Sequence, residues 1–232
     1  MLELNQVCKE YCDGSRQVTA VAVDSLTIKA GEQVALVGPS GSGKTTLLHL
    51  ISGLLIPTRG EITFDNVVVS AMPEVWRDAW RAKTIGYVFQ KLNLLNSLSI
   101  LDNLLVAMSF AHVIPRTEQQ QWASRLLTQV GLGDRLHSRP QQLSMGEQQR
   151  VAVARAVVNK PGIILADEPT ASLDQENGLR VLALLCQMAE EANSILLVST
   201  HDTQIMKRFE RVIPLLQPER QVVISAACNR LA

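Results

Sequence analysis

The sequence contains no uninterrupted apolar run long enough to cross a membrane as a helix. A spanning helix needs about 20 apolar residues, whereas the longest candidate, residues 104–114, is shorter and directly follows Asp102 and Asn103. The N-terminal segment MLELNQVCKEYCDG carries acidic residues and lacks an apolar centre, unlike a secretory signal peptide. We therefore expect a chain that stays in the cytoplasm unless a partner holds it at a membrane.

The chain also lacks an excess of charge of either sign. Its 22 Lys and Arg residues balance its 22 Asp and Glu residues, which gives a formal net charge of zero. A protein that binds nucleic acid mainly through the phosphate backbone carries a clear surplus of basic residues. The composition therefore predicts no nucleic-acid partner.

Cysteine is scarce, and its spacing fits no familiar metal or redox pattern. The four cysteines are Cys8, Cys12, Cys186 and Cys228. Structural zinc sites place cysteines and histidines in close pairs, and redox motifs have the form C-x-x-C. We expect free thiols, which is the usual state in a reducing cytosol.

What the chain does have is an alternation of strand and helix patterns. Hydrophobic residues make up 47% of the sequence and charged residues 19%, as in globular proteins. Residues 98–131 have helical spacing with a break near Pro115. The first thirty residues alternate as strands do, and further strands are predicted at residues 33–38, 61–69, 85–90, 162–169 and 194–200. The pattern predicts an α/β domain on a mainly parallel sheet.

The strongest local motif is GPSGSGKT, residues 38–45, which fits G-x-x-x-x-G-K-[ST] between a predicted strand and a predicted helix. Gly41 and Gly43 let the backbone wrap closely around phosphates, so that consecutive N–H groups point inward. The helix that begins near Lys44 aims its positive end at the same anion. Lys44 would contact the β- and γ-phosphates, and the Thr45 hydroxyl would bind Mg²⁺.

Two adjacent carboxylates, Asp167 and Glu168, follow the apolar strand ILADEP. Ligands of α/β sheets bind at the carboxyl ends of such strands. Asp167 would hold Mg²⁺, and Glu168 would polarise the attacking water as general base. A phosphate cradle with this pair predicts hydrolysis of a nucleoside triphosphate rather than binding alone.

Further motifs make the chain resemble the ATP-binding subunits of ABC transporters. LSMGEQQR, residues 143–150, is similar to the family signature LSGGQ followed by Gln-Arg, and SLD, residues 172–174, is similar to the D-loop. YVFQ ends at Gln90 like the Q-loop, and THD contains His201 like the switch histidine. The motifs cover essentially the whole chain in the family's order. GPSGSGKTTLLHLISGL and IGYVFQ look closest to the lipoprotein-release and macrolide-export type, called LolD/MacB-like.

The resemblance implies a P-loop NTPase fold in a single domain, residues 1–232. A mainly parallel central sheet would be joined by an N-terminal antiparallel β subdomain. A helical subdomain of approximately residues 91–158 would carry the signature motif. Part of residues 92–98 would form an exposed docking patch for a membrane subunit, and the rest would be core. Arg150 and Arg155 are expected to be structural ion-pair partners.

The resemblance also implies a site shared by two head-to-tail copies, with ATP and Mg²⁺ as cofactors. The catalytic residues would be Glu168, His201 and Gln90, and the metal would be held by Thr45, Gln90 and Asp167. Tyr11 would stack on adenine, although it also fits a packed strand aromatic. The residues that contact ATP would be Tyr11, Gly38, Ser40, Gly41, Ser42, Gly43, Lys44, Thr45, Thr46, Ser144, Gly146 and Asp174.

Two residues depart from the family signature. Met145 replaces its first glycine, and Glu147 stands where glutamine is usual. Met145 adds a side chain where the backbone approaches a phosphate, and Glu147 adds a negative charge there. Both would weaken the contact with ATP or slow turnover. Ser144 and Gly146 are retained, so we expect an active site.

The function implied is ATP-driven dimerisation that powers separate integral membrane permease subunits. The chain would lie on the cytoplasmic face of the inner (plasma) membrane and serve the export or extraction of lipids, lipoproteins or hydrophobic compounds. The alternative is an ATP-gated regulatory clamp on a cell-envelope assembly, without transport. A soluble nucleic-acid- or ribosome-associated ABC protein fits less well, because such proteins usually carry two cassettes or a long coiled-coil insertion.

Overall fold

The computed structural model describes residues 1–13, 16–216 and 223–224, and in them the strands form two five-stranded sheets. The strands are Leu2–Asp13 (β1), Arg16–Ile28 (β2), Gln33–Val37 (β3), Arg59–Phe64 (β4), Val67–Val68 (β5), Ile85–Val88 (β6), Ile163–Asp167 (β7), Ile195–Thr200 (β8), Arg211–Pro214 (β9) and Val223–Ile224 (β10). The α-helices are Lys44–Ile51 (α1), Glu74–Thr84 (α2), Ile100–Ala111 (α3), Arg116–Gln129 (α4), Met145–Val157 (α5), Gln175–Glu191 (α6) and Thr203–Met206 (α7). The predicted α/β architecture with a parallel and an antiparallel sheet is confirmed.

The parallel sheet has the strand order β6-β7-β8-β3-β9. The register places Val37 of β3 beside Thr200 of β8, and Asp167 of β7 beside Ser199 of β8. All four strand pairs are parallel, so the carboxyl ends of the strands meet at one edge. The phosphate loop after β3 and the carboxylate pair after β7 therefore lie at the edge where such sheets bind ligands.

Both faces of the parallel sheet are covered, which explains why its strands are apolar without alternation. Val34 and Leu36 of β3 pack in one core cluster with α1 and the antiparallel sheet, whereas Ala35 packs in the other cluster, with helices α3 to α6. Successive side chains of a strand point to opposite faces. The central sheet is thus held between two apolar layers.

The antiparallel sheet has the order β10-β2-β1-β4-β5 and differs from prediction at one point. The pattern of residues 61–69 predicts one strand, but they form the end of β4, a two-residue turn and the short β5. Asp65 and Asn66 have φ values of 45° and 67°. Both turn residues have positive φ, as tight hairpins with right-handed twist require, and Asp and Asn tolerate it better than other non-glycine residues.

The helical segment after β6 follows the predicted pattern. Helix α3 ends at Ala111 and is capped by His112, whose φ is 53°, and α4 begins after Pro115. Helix α2 lies outside the predicted elements, although Trp76 and Trp80 have the spacing of one helix face. Trp76 is 70% exposed, and Trp80 contacts Phe64 edge to face. Within the described ranges, no helix is both long enough and apolar enough to cross a bilayer.

Two arginines of α5 hold neighbouring segments through backbone carbonyls. Arg155 donates to the carbonyls of Leu92 and Asn93 at 2.7 Å each, and Arg150 donates to that of Val130 at 2.9 Å. Both residues are structural, as expected, but their hydrogen bonds go to carbonyl oxygens and not to carboxylates. Arg155 in this way fixes the chain that follows Gln90.

The cysteines that the structure describes bear out the expectation of free thiols. Cys8, Cys12 and Cys186 form no disulfide, and Cys228 lies outside the described residues. Burial raises the pKa of the Cys186 thiol to about 11, so this thiol is protonated and unreactive at neutral pH.

Candidate functional site

A cleft of about 410 Å³ lies at the carboxyl ends of the parallel strands. The phosphate loop and the first turn of α1 form its floor, and Gln90 and Glu168 close one side. Residues of β2 form the opposite wall. The lining residues are Val18, Thr19, Ala20, Ser40, Gly41, Gly43, Lys44, Thr45, Thr46, Gln90 and Glu168.

The phosphate loop has the tight backbone that its glycines predict. Gly41 has a φ of 77° and Gly43 a φ of 92°. A Cβ on Gly43 would lie 2.2 Å from the carbonyl oxygen of Ala20, so only glycine fits between the loop and β2. Lys44 is 7% exposed and donates to the carbonyls of Gly38 at 2.8 Å and Pro39 at 3.2 Å. Its ammonium is therefore held over the loop, where a phosphate chain would pass.

Asp167 connects three segments at the edge of the sheet. The Thr45 hydroxyl donates to its Oδ2 at 2.8 Å, and the Ser199 hydroxyl donates to its Oδ1 at 2.5 Å. Asp167 is 4% exposed, so these hydrogen bonds offset the cost of burying its carboxylate. A hydroxyl and a carboxylate oxygen this close are the ligand types that Mg²⁺ prefers.

Glu168 lies between two basic side chains. Its Oε1 is 3.9 Å from Lys44 Nζ, and its Oε2 is 2.9 Å from His201 Nδ1. The backbone N–H of Glu168 donates to the Ser199 hydroxyl at 3.0 Å and to the Ser199 carbonyl at 3.1 Å. Glu168 has a φ of 46°, a strained value for a residue with a side chain. The β7–α6 connection thus turns this carboxylate toward the cleft.

Of the remaining residues predicted on the phosphate loop, two are packed against neighbouring segments and two line the cleft. Ser42 is 1% exposed, and its hydroxyl has no hydrogen-bond partner among the described residues. A Cβ on Gly38 would lie 2.5 Å from the Leu215 carbonyl oxygen, so the loop passes close to the segment after β9. Ser40 and Thr46 line the cleft.

Other predicted residues lie outside the cleft of the same chain. Ser144 caps α5, Gly146 lies in the first turn of that helix, and Asp174 caps α6 by accepting from the Asn177 N–H at 3.0 Å. Tyr11 is 43% exposed on β1, opposite Val18 of β2. Its ring lies 5.4 Å from Lys9 Nζ. Stacking of Tyr11 on a base and contacts from the two helix ends therefore stay predictions.

The signature segment forms a capping box. The Ser144 N–H donates to the Glu147 carboxylate at 2.8 Å, and the Glu147 N–H donates to the Ser144 hydroxyl at 3.3 Å. The hydrogen bond from the Ser144 N–H holds the pKa of Glu147 below its usual range, so Glu147 stays ionised at neutral pH. Glutamine could make the same pair of bonds without the charge. Met145 is 48% exposed beside this cap.

Two features of the site go beyond what the sequence predicts. Ser199 holds both Asp167 and the Glu168 backbone, and the wall opposite the carboxylates consists of Val18, Thr19 and Ala20. The end of the apolar run SILLVST, paired with ILAD in a parallel sheet, could have indicated Ser199. The wall carries no sequence signal, because it depends on how the two sheets pack together.

Comparisons with known proteins agree with this geometry. The ABC transporter family model matches residues 21–171. The chain belongs to the ABC transporter family. A lipoprotein-releasing system ATP-binding protein LolD of Idiomarina loihiensis is 42% identical over 91% of this chain and 92% of its own length. An uncharacterized ABC transporter ATP-binding protein of Thermotoga maritima is 44% identical over 89% of this chain and 87% of its own length. As a family member, the chain is an ATP-binding and ATP-hydrolysing subunit.

A solved structure supports the fold of this ABC cassette. The ATP-binding cassette MJ0796, described as a dimer in a post-hydrolysis state bound to ADP and Pi, is 38% identical. The similarity covers 95% of this chain and 97% of that one, with a TM-score of 0.86. The macrolide export ATP-binding/permease protein MacB of Bartonella henselae is 39% identical over 94% of this chain but only 33% of its own length.

Replacing Ser199 with alanine tests whether Ser199 positions Asp167 and Glu168 or only stabilises the fold. We expect Ser199→Ala to lower ATP turnover about tenfold or more and to raise the Mg²⁺ concentration needed, because Asp167 and the Glu168 backbone both lose a hydrogen bond. Steady-state turnover against Mg²⁺ concentration measures this.

The matched control is Ser194→Ala, which lies directly before the first residue of β8. Ser194 is equally buried and donates to the Pro161 carbonyl at 2.6 Å, far from the cleft. The Ser194→Ala variant should have lower thermal stability than wild type, and its folded fraction should hydrolyse ATP at the wild-type rate. Equal losses of turnover in the two variants would contradict the positioning role of Ser199.

Proposed function

We propose that this chain hydrolyses Mg-ATP as one of two paired copies and powers membrane permease subunits that export or extract lipids, lipoproteins or hydrophobic compounds. The observation that carries the proposal is the cluster at the sheet edge. The Glu168 carboxylate lies 3.9 Å from Lys44 and 2.9 Å from His201, and Thr45 bonds to Asp167 beside them. Phosphate binding, metal binding and water activation need these groups in one place.

The chemistry assigned to each residue follows from its position. The N–H groups of the phosphate loop and Lys44 hold the triphosphate. Glu168 accepts a proton from the water that attacks the γ-phosphorus, and His201, on the far side of the same carboxylate, contacts the γ-phosphate and stabilises its charge. Gln90 lines the cleft beside Glu168 and orients the water. Breaking the bond to the γ-phosphate yields ADP and inorganic phosphate.

We assign Mg²⁺ to the oxygens of Thr45 and Asp167, with Gln90 nearby. The donor set fits the ion, since Thr45 Oγ1 and Asp167 Oδ2 are 2.8 Å apart at the mouth of the loop. When bound, Mg²⁺ neutralises charge on the phosphate oxygens. Ser199 keeps the other Asp167 oxygen engaged and so fixes the orientation of the carboxylate.

Pairing of two copies supplies the residues that lie outside the cleft. Ser144 and Gly146, at the start of α5, would contact the γ-phosphate held by the other copy, and Asp174 at the start of α6 would meet the partner's site. Helix N-termini attract anions. The similar cassette MJ0796 is described as dimeric. We further propose that residues 91–158 act as a helical subdomain within the single domain of residues 1–232.

A variant of Glu168 tests whether this residue is the general base of ATP hydrolysis. We expect Glu168→Gln to lower turnover by about 10²–10⁴-fold, because the water loses its proton acceptor, and to accumulate as an ATP-bound dimer. Turnover and light scattering with ATP measure both. Glu118→Gln, an acidic residue in the first turn of α4, is the control and should behave as wild type. An active Glu168→Gln variant would contradict the assignment of the base.

The charge of Glu147 offers a second test of pairing. In the Glu168→Gln background we expect Glu147→Gln to tighten ATP-driven dimerisation about two- to fivefold for each site. A carboxylate at a helix N-terminus cancels about 0.3–1 kcal/mol of the helix's attraction for an outside anion. Glutamine removes this charge and keeps the capping hydrogen bonds. Dimerisation measured at several ATP concentrations, with Glu118→Gln as control, checks this. Weaker dimerisation of Glu147→Gln would show that the charge assists pairing.

A groove on the helical side fits a permease segment. The groove, about 470 Å³, has apolar walls from Ile85, Tyr87, Phe89 and Phe110 and is also lined by the polar side chains of Asp78, Arg81, Asn93, Arg155 and Asn159. The Tyr87 hydroxyl is buried without a hydrogen-bond partner among the described residues, and Phe110 is 70% exposed. An exposed apolar surface with an unpartnered polar atom is suited to a protein partner. The names of the LolD and MacB relatives refer to lipoprotein release and to a permease, and they support our proposal that the chain lies at the cytoplasmic face of the inner membrane.

Phe110 tests this docking surface. We expect Phe110→Asp to lose co-purification of coexpressed permease subunits while ATP binding is retained, because a charge would replace the apolar wall. Pull-down from detergent-solubilised membranes measures retention. Val67→Asp on the exposed edge strand β5, outside the groove, is the control. Equal retention by the two variants would place the permease elsewhere.

A further inference from the structure

A second pocket adjoins the nucleotide cleft. It measures about 460 Å³ and lies between the segment that follows Gln90 and the first turns of α5. Gln90 lines both the cleft and this pocket, so the two spaces meet at this side chain. Ser172, which follows the carboxylate pair, completes the wall. Nothing in the hydrolysis mechanism assigns a role to this space.

Seven of the ten described residues that line the pocket have polar side chains, none of them a carboxylate, and the other three are Leu92, Leu94 and Met145. Among the described residues that line it, Lys91 is the only one with a charge. Five amide side chains surround it, which are those of Gln90, Asn93, Asn96, Gln148 and Gln149. Glu147 lies nearby on α5, but its carboxylate is bonded to the Ser144 N–H and is not part of the lining. The local charge and the amide donors favour an anion.

Gln149 supplies an observation independent of the pocket's shape. It is 4% exposed, and its Nε2 donates no hydrogen bond to any described residue. Its neighbour Gln148 differs, because the Nε2 of Gln148 donates to the Leu143 carbonyl at 3.0 Å. Buried donors are nearly always paired, and an exception points to a water, an ion or a ligand. Gln149 lines the pocket with its Nε2 sealed from it, so the amide turns over to direct this donor at a ligand there.

We propose that this pocket binds inorganic phosphate, the product of ATP hydrolysis, after it leaves the cleft past Gln90. The inference rests on ATP hydrolysis in the adjoining cleft. Phosphate carries negative charge for Lys91 and acceptor oxygens for the amide of Gln149, and its remaining hydroxyl can donate to an amide carbonyl. The volume holds a hydrated phosphate easily, since a water molecule takes about 30 Å³ of liquid. Holding phosphate here prevents its return to the γ-position.

The first experiment measures phosphate binding directly, in the presence of saturating ADP. Calorimetric titration with inorganic phosphate compares wild type with Gln149→Leu. Leucine has a similar size and removes a donor that has no partner among the described residues, so the variant should fold with unchanged thermal stability. We expect it to bind phosphate about tenfold more weakly or worse, the effect of one hydrogen bond to a charged group. Lys91→Gln should lose about two- to fivefold, an effect that salt reduces.

Gln148→Leu is the matched control, because its amide lines the same pocket but already donates to Leu143. It should lower thermal stability and leave phosphate affinity within about twofold. His201→Ala separates the pocket from the γ-position, since it should weaken only phosphate bound in the cleft. Unchanged affinity in Gln149→Leu, or a loss confined to His201→Ala, would overturn the proposal.

The second experiment follows product that the protein itself makes. A fluorescent phosphate sensor reports release after a single turnover of ATP, while quenched samples report cleavage. We expect Gln149→Leu to cleave ATP at the wild-type rate and to change the delay between cleavage and release. Identical delays would overturn the proposal. If the wild type binds phosphate but never cleaves ATP, the phosphate site in the pocket is supported and the proposed function is overturned.

Discussion

The site depends on one buried carboxylate. Asp167 accepts hydrogen bonds from Thr45 and Ser199, and these two residues stand at the ends of different structural units, the phosphate-loop helix and β8. A buried carboxylate is stable only if its oxygens are satisfied. The bonds that satisfy it therefore also set the distance between the phosphate loop and the neighbouring strands. Glu168 inherits its position from the same network, because its backbone N–H is bonded to Ser199.

The two sheets make that arrangement rigid. The parallel sheet is apolar on both faces, and one face packs against α1 and the antiparallel sheet. This packing brings β2 so close to the phosphate loop that Gly43 has no room for a Cβ beside the Ala20 carbonyl. The antiparallel sheet is thus part of the site, since it forms the wall that faces the carboxylates. A loop of this kind with no second sheet behind it would bind phosphate in a more open cleft.

Much of this could be predicted from the sequence because the relevant signals are local. The phosphate loop, the carboxylate pair and the apolar strands each lie within a few consecutive residues, and parallel pairing then places them at one edge. The turn at Asp65 and Asn66 within residues 61–69 could not be predicted, because the apolar residues on both sides of it gave the pattern of one continuous strand. Ser199 could have been found only by pairing the end of its apolar strand with that of β7. The β2 wall and the carbonyl partners of Arg155 depend on tertiary packing, which no local pattern encodes.

The signature segment illustrates how a departure from a family pattern can be absorbed locally. A carboxylate in place of glutamine at residue 147 adds charge where an anion is expected to bind, yet it pairs with the Ser144 N–H and stabilises the helix start. The Ser144 hydroxyl accepts from the Glu147 N–H and also bonds to the Glu147 carboxylate, which therefore competes with an outside anion for the hydroxyl proton. The same two hydrogen bonds thus position the serine for an anion while the charge opposes that anion. Pairing of two copies excludes water, and a charge acts more strongly as the surrounding dielectric constant falls, so the opposition of the Glu147 carboxylate to the anion is the larger effect in the paired state.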